Sequence, residues 1–234
     1  MAEIRASAVI TAAGLGKRFG GEGIPKQFLP LLGKPVLAHS VEAVSKSDLI
    51  GEIIVVVPGN WVDYTKSDIV EKLGMPKATK VIPGGAERQD SVHAGFDSLS
   101  EKPDIVVVHD GVRPFISLSL LEEVIKEASA CGGAIAALPS NDTIKKSSPA
   151  QFVENTVPRD SLWFAQTPQA FRYEVLRDAF LKASDEGFIG TDESLLVERT
   201  GIKVKLVKGS PYNIKITTPE DLRLGELILK EGVW

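Results

Sequence analysis

The chain has 234 residues, of which 43% are apolar and 25% charged, which is ordinary for one α/β domain. Its formal net charge of −4 argues against a general nucleic-acid or membrane-surface role, so any basic site must be a local cluster. No apolar stretch is long enough to span a bilayer, Met1 to Ser7 lacks the layout of a signal peptide, and a single cysteine excludes a disulfide framework; a cytoplasmic enzyme fits these limits.

Ala8-Val9-Ile10 reads as a buried strand. It runs into Ala12-Ala13-Gly14-Leu15-Gly16-Lys17-Arg18-Phe19, and Pro25-Lys26-Gln27-Phe28 follows. A Gly-rich turn leaving a strand lets backbone N–H groups close around phosphate oxygens, because glycine has no Cβ to block approach. Arg18 and Lys26 add cations beside the same turn, and together they suggest a nucleoside triphosphate. The segment is not a P-loop, which needs Lys-Ser/Thr after its second glycine; here Lys17-Arg18 follows Gly16. Nor is it the dinucleotide fingerprint, because Phe19 stands where the third glycine belongs.

Strands and amphipathic helices then alternate through roughly 140 residues. Ile53–Val57, Ile105–Val108 and Ala134–Leu138 are apolar on both faces, which suits central strands of a parallel sheet. Val36, Leu37, Val41 and Val44, and again Leu120, Leu121, Val124, Ile125 and Ala128, show helical spacing. Right-handed crossovers place the strand C-termini along one edge, which gathers the Gly14 loop, the Pro58-Gly59 turn and the His109–Pro114 turn. Cys131, before Gly132-Gly133, is expected at a helix end as a small packed residue. His39 and His93 fall on helices and are expected to be structural. His109 precedes Asp110 at a strand end, where a structural role outweighs a functional one but by less than for the other two.

From Asn141 to Asp160 the pattern changes. Residues 142–146 and 151–157 read as two strands joined by Ser147-Ser148-Pro149. A lone two-stranded ribbon is marginally stable, so this arm is expected to pack on something, with a second subunit as one option and its own domain as the other. Thr191-Asp192-Glu193 opens a helix through Arg199, Val204–Val207 reads as a strand, and Thr218-Pro219-Glu220-Asp221 is a strong helix start. The fold class expected is α/β, a Rossmann-like doubly wound, mostly parallel sheet in one domain over 1–234, with 141–160 as a protruding β-arm.

Four more segments complete a pattern: Gly84-Gly85-Ala86-Glu87-Arg88 running into Ser91, the Asp110-Gly111-Val112-Arg113-Pro114 turn, Arg159 with Gln166-Thr167-Pro168-Gln169, and Asn213 to Thr217 with Lys215. With the opening loop, and over nearly the whole chain from Ala8 to Leu229, they resemble the 2-C-methyl-D-erythritol 4-phosphate cytidylyltransferase family of non-mevalonate isoprenoid synthesis. The resemblance implies a nucleotide-diphospho-sugar transferase fold, and an enzyme that joins CTP to a sugar-alcohol phosphate, releases pyrophosphate and needs Mg²⁺ held mainly by the CTP phosphates. It implies that Ala12, Ala13, Gly14, Leu15 and Gly16 wrap the triphosphate. Arg18, Lys26 and Lys215 would be catalytic cations. Gly85, Arg88, Ser91, Asp110 and Gly111 would serve the nucleotide. Asp110 with Arg113, Thr143, Arg159, Thr167, Thr191 and Lys215 would serve the acceptor, with Arg113 and Thr143 reaching across a homodimer formed through the arm. Two departures from the family pattern are Ala86, where an acid is frequent, and Lys17, where arginine is frequent. The opening loop, the Asp-x-x-Arg-Pro turn and the Gln-Thr-Pro-Gln segment are shared with ribitol-5-phosphate cytidylyltransferases. Thr191-Asp192-Glu193-Ser194 and the Asp142–Lys145 start of the arm favour the methylerythritol enzyme.

The chemistry agrees with that resemblance. A phosphate monoester with a second pKa of about 6 is largely dianionic at neutral pH, so it is already a nucleophile and needs no general base. In-line attack at the α-phosphorus needs positioned positive charge. Lys145, Lys146 and Lys230 read instead as solvated surface charges.

Overall fold

In a computed structural model, residues 4–14 and 23–234 are described. The first strand, β1 (Ala6–Thr11), lies at the centre of a seven-stranded sheet. Around it come β2 (Ile50–Val57), β3 (Ala78–Pro83), β4 (Ile105–Asp110) and β5 (Gly133–Pro139). Arm strands β6 (Ile144–Ser147) and β7 (Val153–Val157) precede β8 (Trp163–Arg172) and β9 (Lys205–Lys208). The sheet order is β9-β5-β8-β4-β1-β2-β3. All neighbours pair in parallel except β8, which runs antiparallel between β4 and β5.

Period-two alternation divides the strands between two apolar layers. Ala8, Ile10, Val55 and Val107 face α1 (Val36–Ser45) and α3 (Leu118–Cys131), while Val9, Ile54, Val56, Val106 and Val108 face the other side. There they meet α2 (Arg88–Asp97), α4 (Tyr173–Asp185) and α5 (Glu193–Glu198) through Phe96, Phe180 and Leu196. The last helix, α6 (Pro219–Glu231), begins as its sequence requires: Thr218 accepts from the Asp221 backbone, Asp221 returns to Thr218, and proline occupies the first turn. It covers a third cluster around Leu31, Val112, Phe115 and Ile216.

Two local expectations are revised, and one motif falls in an element to which the sequence pattern does not assign it. Gln166-Thr167-Pro168-Gln169 is part of a central strand, although a proline there removes a ladder donor. The strand accommodates it by slipping register between Ala165 and Gln169, so residues 166–168 leave the ladder with β5; the Thr167–Pro168 bond is cis. Cys131 is exposed, because the buried stripe of α3 ends at Ala128. The arm strands start two residues later than the pattern suggests, at Ile144 and Val153. Gln151 sits in the connecting turn at φ +63°, and Phe152 beside it stays exposed. The arm is a separate two-stranded sheet.

Candidate active site

The C-terminal ends of β1, β3 and β4 surround a cavity of about 180 Å³. It is lined by Ala12, Ala13, Gly14, Lys26, Gly85, Arg88, Ser91, Asp110 and Lys215. Gln27 is buried and anchors the Gly-rich turn: its amide donates to Ala12 O at 2.6 Å and Gly14 O at 3.2 Å. Its neighbour Lys26 is held in a one-turn helix whose Phe28 stacks on Trp61 at 4.3 Å. The Pro58-Gly59 turn thus supports the cavity from outside rather than lining it. Gly84 and Gly85 allow the second Gly-rich turn to pass close to Ala13 and Asp90, where any Cβ would collide. Ser91 locks that turn: its hydroxyl accepts from Gly85 N–H and donates to Glu87 O, both at 3.1 Å.

A second cavity, about 270 Å³, adjoins the first. Thr167, Gln166 and Gln169 come to it from β8, Thr191 and Asp192 from the loop before α5, and Arg113 from the turn after β4. Arg88, Asp110 and Lys215 line both cavities. The bulge that breaks the β8 ladder is therefore what presents Thr167 to this cavity.

The wall between the cavities is a buried charge cluster. Lys215 Nζ lies 2.8 Å from Asp110 Oδ2, Arg88 Nε 3.4 Å from Asp110 Oδ1, and Arg113 Nε 3.5 Å from Asp110 Oδ2. On its other side, Arg88 Nη1 donates to both oxygens of Glu193 at 2.8 Å. Burial alone would raise the pKa of Asp110, but Lys215, then Arg88, then Arg113 outweigh it and hold the carboxyl well below its usual range. Burial raises Glu193, opposed by Arg88. Burial would lower Arg88, yet Glu193 and Asp110 lift it above the ordinary arginine value. Within this cluster three cations face two carboxylates, while Asp192 also lines the second cavity.

His109 is completely buried and has both ring nitrogens engaged. Arg113 O can only accept, so Nε2 carries the proton at 2.9 Å, and Nδ1 accepts from Thr167 Oγ1 at 3.1 Å. Thr167 Oγ1 in turn accepts from Asp110 N–H at 3.0 Å. Burial lowers the His109 pKa to about 4, so it stays neutral and positions the turn. His39 and His93 are on helices as expected; His39 pairs with Leu31 O and His93 stacks on Phe180.

The structure thus brings most of the sequence candidates together. Gly111 lines neither cavity and packs against Leu37 and Ala12. Thr143 and Arg159 are exposed at the arm and also lie outside both, Arg159 reaching only Asn141 O. Arg113 meets Asp110 and donates from Nη1 to Asn213 O at 2.7 Å within its own chain. Leu15, Gly16 and Arg18 lie outside the described residues. Gln27, Gln169, Glu193 and Asn213 were not singled out from sequence for roles at the site. Gln27 carried a signal, standing beside Lys26 in the Pro-Lys-Gln-Phe segment.

Among the described residues no group of three or more His, Cys, Asp or Glu side chains could hold a metal ion, and no helix is long and apolar enough to cross a membrane.

A family model described as IspD, 2-C-methyl-D-erythritol 4-phosphate cytidylyltransferase, matches residues 6–231. The chain belongs to this family. A relative of that name from Geotalea uraniireducens is 45% identical over 229 residues, covering 97% of each chain. A crystal structure of 4-diphosphocytidyl-2C-methyl-D-erythritol synthase from Anaerococcus prevotii superposes with a TM-score of 0.84 at 34% identity, covering 97% of each chain. The cytidylyltransferase from Thermus thermophilus gives 0.77 at 31% identity, with 97% of this chain and all of that one covered. As a member of this family the chain is a nucleotidyltransferase, and the ribitol-phosphate alternative is not favoured.

Proposed function

We propose that the first cavity holds CTP, that the second holds 2-C-methyl-D-erythritol 4-phosphate, and that the reaction crosses the Asp110–Lys215 wall between them. The observation that carries this reading is that Arg88, Asp110 and Lys215 line both cavities, with Lys215 and Asp110 only 2.8 Å apart. A donor and an acceptor bound on either side would meet at one cationic boundary.

The acceptor phosphate oxygen attacks the α-phosphorus of CTP. A new P–O bond forms, the bond to the β-phosphate breaks, and pyrophosphate leaves with its electron pair; 4-diphosphocytidyl-2-C-methyl-D-erythritol is the other product. Lys215 bears on the attacked centre, while Lys26 and Arg18 hold the triphosphate. One charge pair at about 4 Å contributes about 4 kcal/mol at an effective dielectric of 20, so a few such cations account for a large part of the barrier reduction. No proton need be removed, which accords with a His109 whose nitrogens are both committed.

The donor set suits Mg²⁺ arriving on CTP: Asp110 offers one hard carboxylate in the cavity wall, and phosphates supply the remaining oxygens. When bound, the ion would neutralise charge on the phosphate oxygens. Asp110 would hold it while keeping Lys215 oriented.

The arm is read as a homodimer contact that carries Thr143 and Arg159 toward the other subunit's acceptor cavity. Support comes from its exposed Phe152 and Val153, 75% and 64% accessible, on a ribbon that forms its own two-stranded sheet among the described residues. A cytoplasmic enzyme is consistent with this reading.

Pyrophosphate release measured with four nucleotides and two acceptors, methylerythritol phosphate and ribitol phosphate, tests the proposal. Turnover with CTP and methylerythritol phosphate is expected to exceed the other combinations; preference for ribitol phosphate or another nucleotide would overturn it.

A further inference from the structure

Neither Glu193 nor Gln89 is among the residues lining these two cavities, yet both tie the nucleotide side to the acceptor side. Gln89 is in the first turn of α2, next to Arg88. Its Nε2 donates to Phe188 O at 3.1 Å, and its Oε1 accepts from Gly190 N–H at 2.8 Å. Glu193, 1% exposed at the start of α5, receives both bonds from Arg88 Nη1. The loop 188–193, which carries Thr191, is thus fastened to the turn that follows Gly85. The loop's other end is pinned by Gln169, which donates to Asp192 and accepts from Ser194 N–H.

On the cytidylyl-transfer reading above, we propose that Glu193 and Gln89 are positioning residues: they clamp the acceptor loop to the nucleotide-side helix and hold Arg88 in place against Asp110. Among the described residues Arg88 already has one buried nitrogen, Nη2, without a hydrogen-bond partner. Without the Glu193 carboxylate, its remaining partner carboxylate among the described residues is Asp110. The guanidinium then turns onto Asp110 and competes with Lys215 for it. The cost falls on chemistry at the boundary more than on nucleotide binding, because the Gly-rich turns and Lys26 are untouched.

The test compares wild type, Glu193→Gln, Gln89→Ala, Arg88→Ala and the Arg88→Ala/Glu193→Gln pair, with CTP affinity measured by calorimetry and steady-state kinetics measured for both substrates. Glutamine keeps the volume and one acceptor but removes the charge. Glu193→Gln is expected to lower kcat about tenfold or more while CTP affinity stays within about threefold. The pair should be little worse than Arg88→Ala alone, since residues acting as a unit are non-additive. Gln89→Ala, on a half-buried side chain, should raise KM for the acceptor several-fold and leave CTP affinity unchanged, and it reads the clamp should Glu193→Gln fail to fold. Normal kcat in folded Glu193→Gln, multiplicative losses in the pair, or an unchanged acceptor KM in Gln89→Ala would overturn the clamp. Wild-type protein without cytidylyl transfer would instead remove the functional reading beneath it.

Discussion

The cavity wall and the arm both carry ion pairs, but the two regions use charge differently. Around Asp110, three cations converge on a carboxyl only 8% exposed. In the arm, Lys146 meets Glu154 at 3.1 Å with both side chains largely in water, 67% and 41% exposed. The first arrangement is worth its desolvation only if the geometry is held and every partner is present, and removing one leaves uncompensated buried charge. The second is worth between nothing and about 1 kcal/mol. The described charges of the wall pair within one chain, whereas the arm leaves Phe152 and Val153 exposed. A site built of convergent buried charge can be read from one subunit, while a surface ribbon gains its meaning from what it meets.

Breaking the arm should have the largest consequence. Deletion of residues 145–154 is expected to yield monomers and a loss of activity together, read by light scattering and pyrophosphate release. A wild-type protein that scatters as a monomer would remove the arm from the account.

On the wall side, His109 predicts acid sensitivity. Its folded pKa is about 4 against 6.5 for an ordinary histidine, so the unfolded chain takes up the proton first as pH falls. Stability is therefore lost between pH 6.5 and 4, by on the order of 3 kcal/mol. Urea unfolding of His109→Gln should show a flatter profile across that window, and an unchanged slope would contradict a neutral, buried imidazole. Asp110 acts lower: its depressed pKa supplies stability present above the ordinary carboxylate range and lost only at stronger acid.

Arg18→Ala and Lys26→Ala should each lower kcat/KM at least a hundredfold, about 2.7 kcal/mol of transition-state stabilisation, with little change in Tm. Near-normal turnover in either would remove that residue from the active site. The smallest effect belongs to the arm pair: Lys146→Ala should shift stability by less than about 1 kcal/mol, checked by urea titration.

How far the sequence speaks also differs between regions. β-branched runs apolar on both faces announce the parallel strands, and Thr218-Pro219 announces α6, because those signals are local. The Gly-rich turns and Lys26 were legible for the same reason. β8 was not: Pro168 argues against a central strand, and only the register slip beside β5 makes room for it. Glu193 was not legible as an ion-pair partner either. An acid at a helix start reads as a favourable match to the helix dipole, and nothing nearby signals that Arg88, 105 positions earlier, is its partner. Pairings of that separation are properties of topology, set when α2 and α5 pack on the same face of the sheet.

On the proposed reading, cytidylyl transfer occurs at the boundary shared by the two cavities. Pyrophosphate release by Lys215→Ala tests it most directly, because Lys215 lies 2.8 Å from Asp110 and lines both cavities. Release in wild type is expected to require both CTP and the acceptor, and kcat/KM is expected to fall at least a hundredfold in Lys215→Ala under conditions where the variant remains folded. Near-normal turnover in folded Lys215→Ala would contradict it.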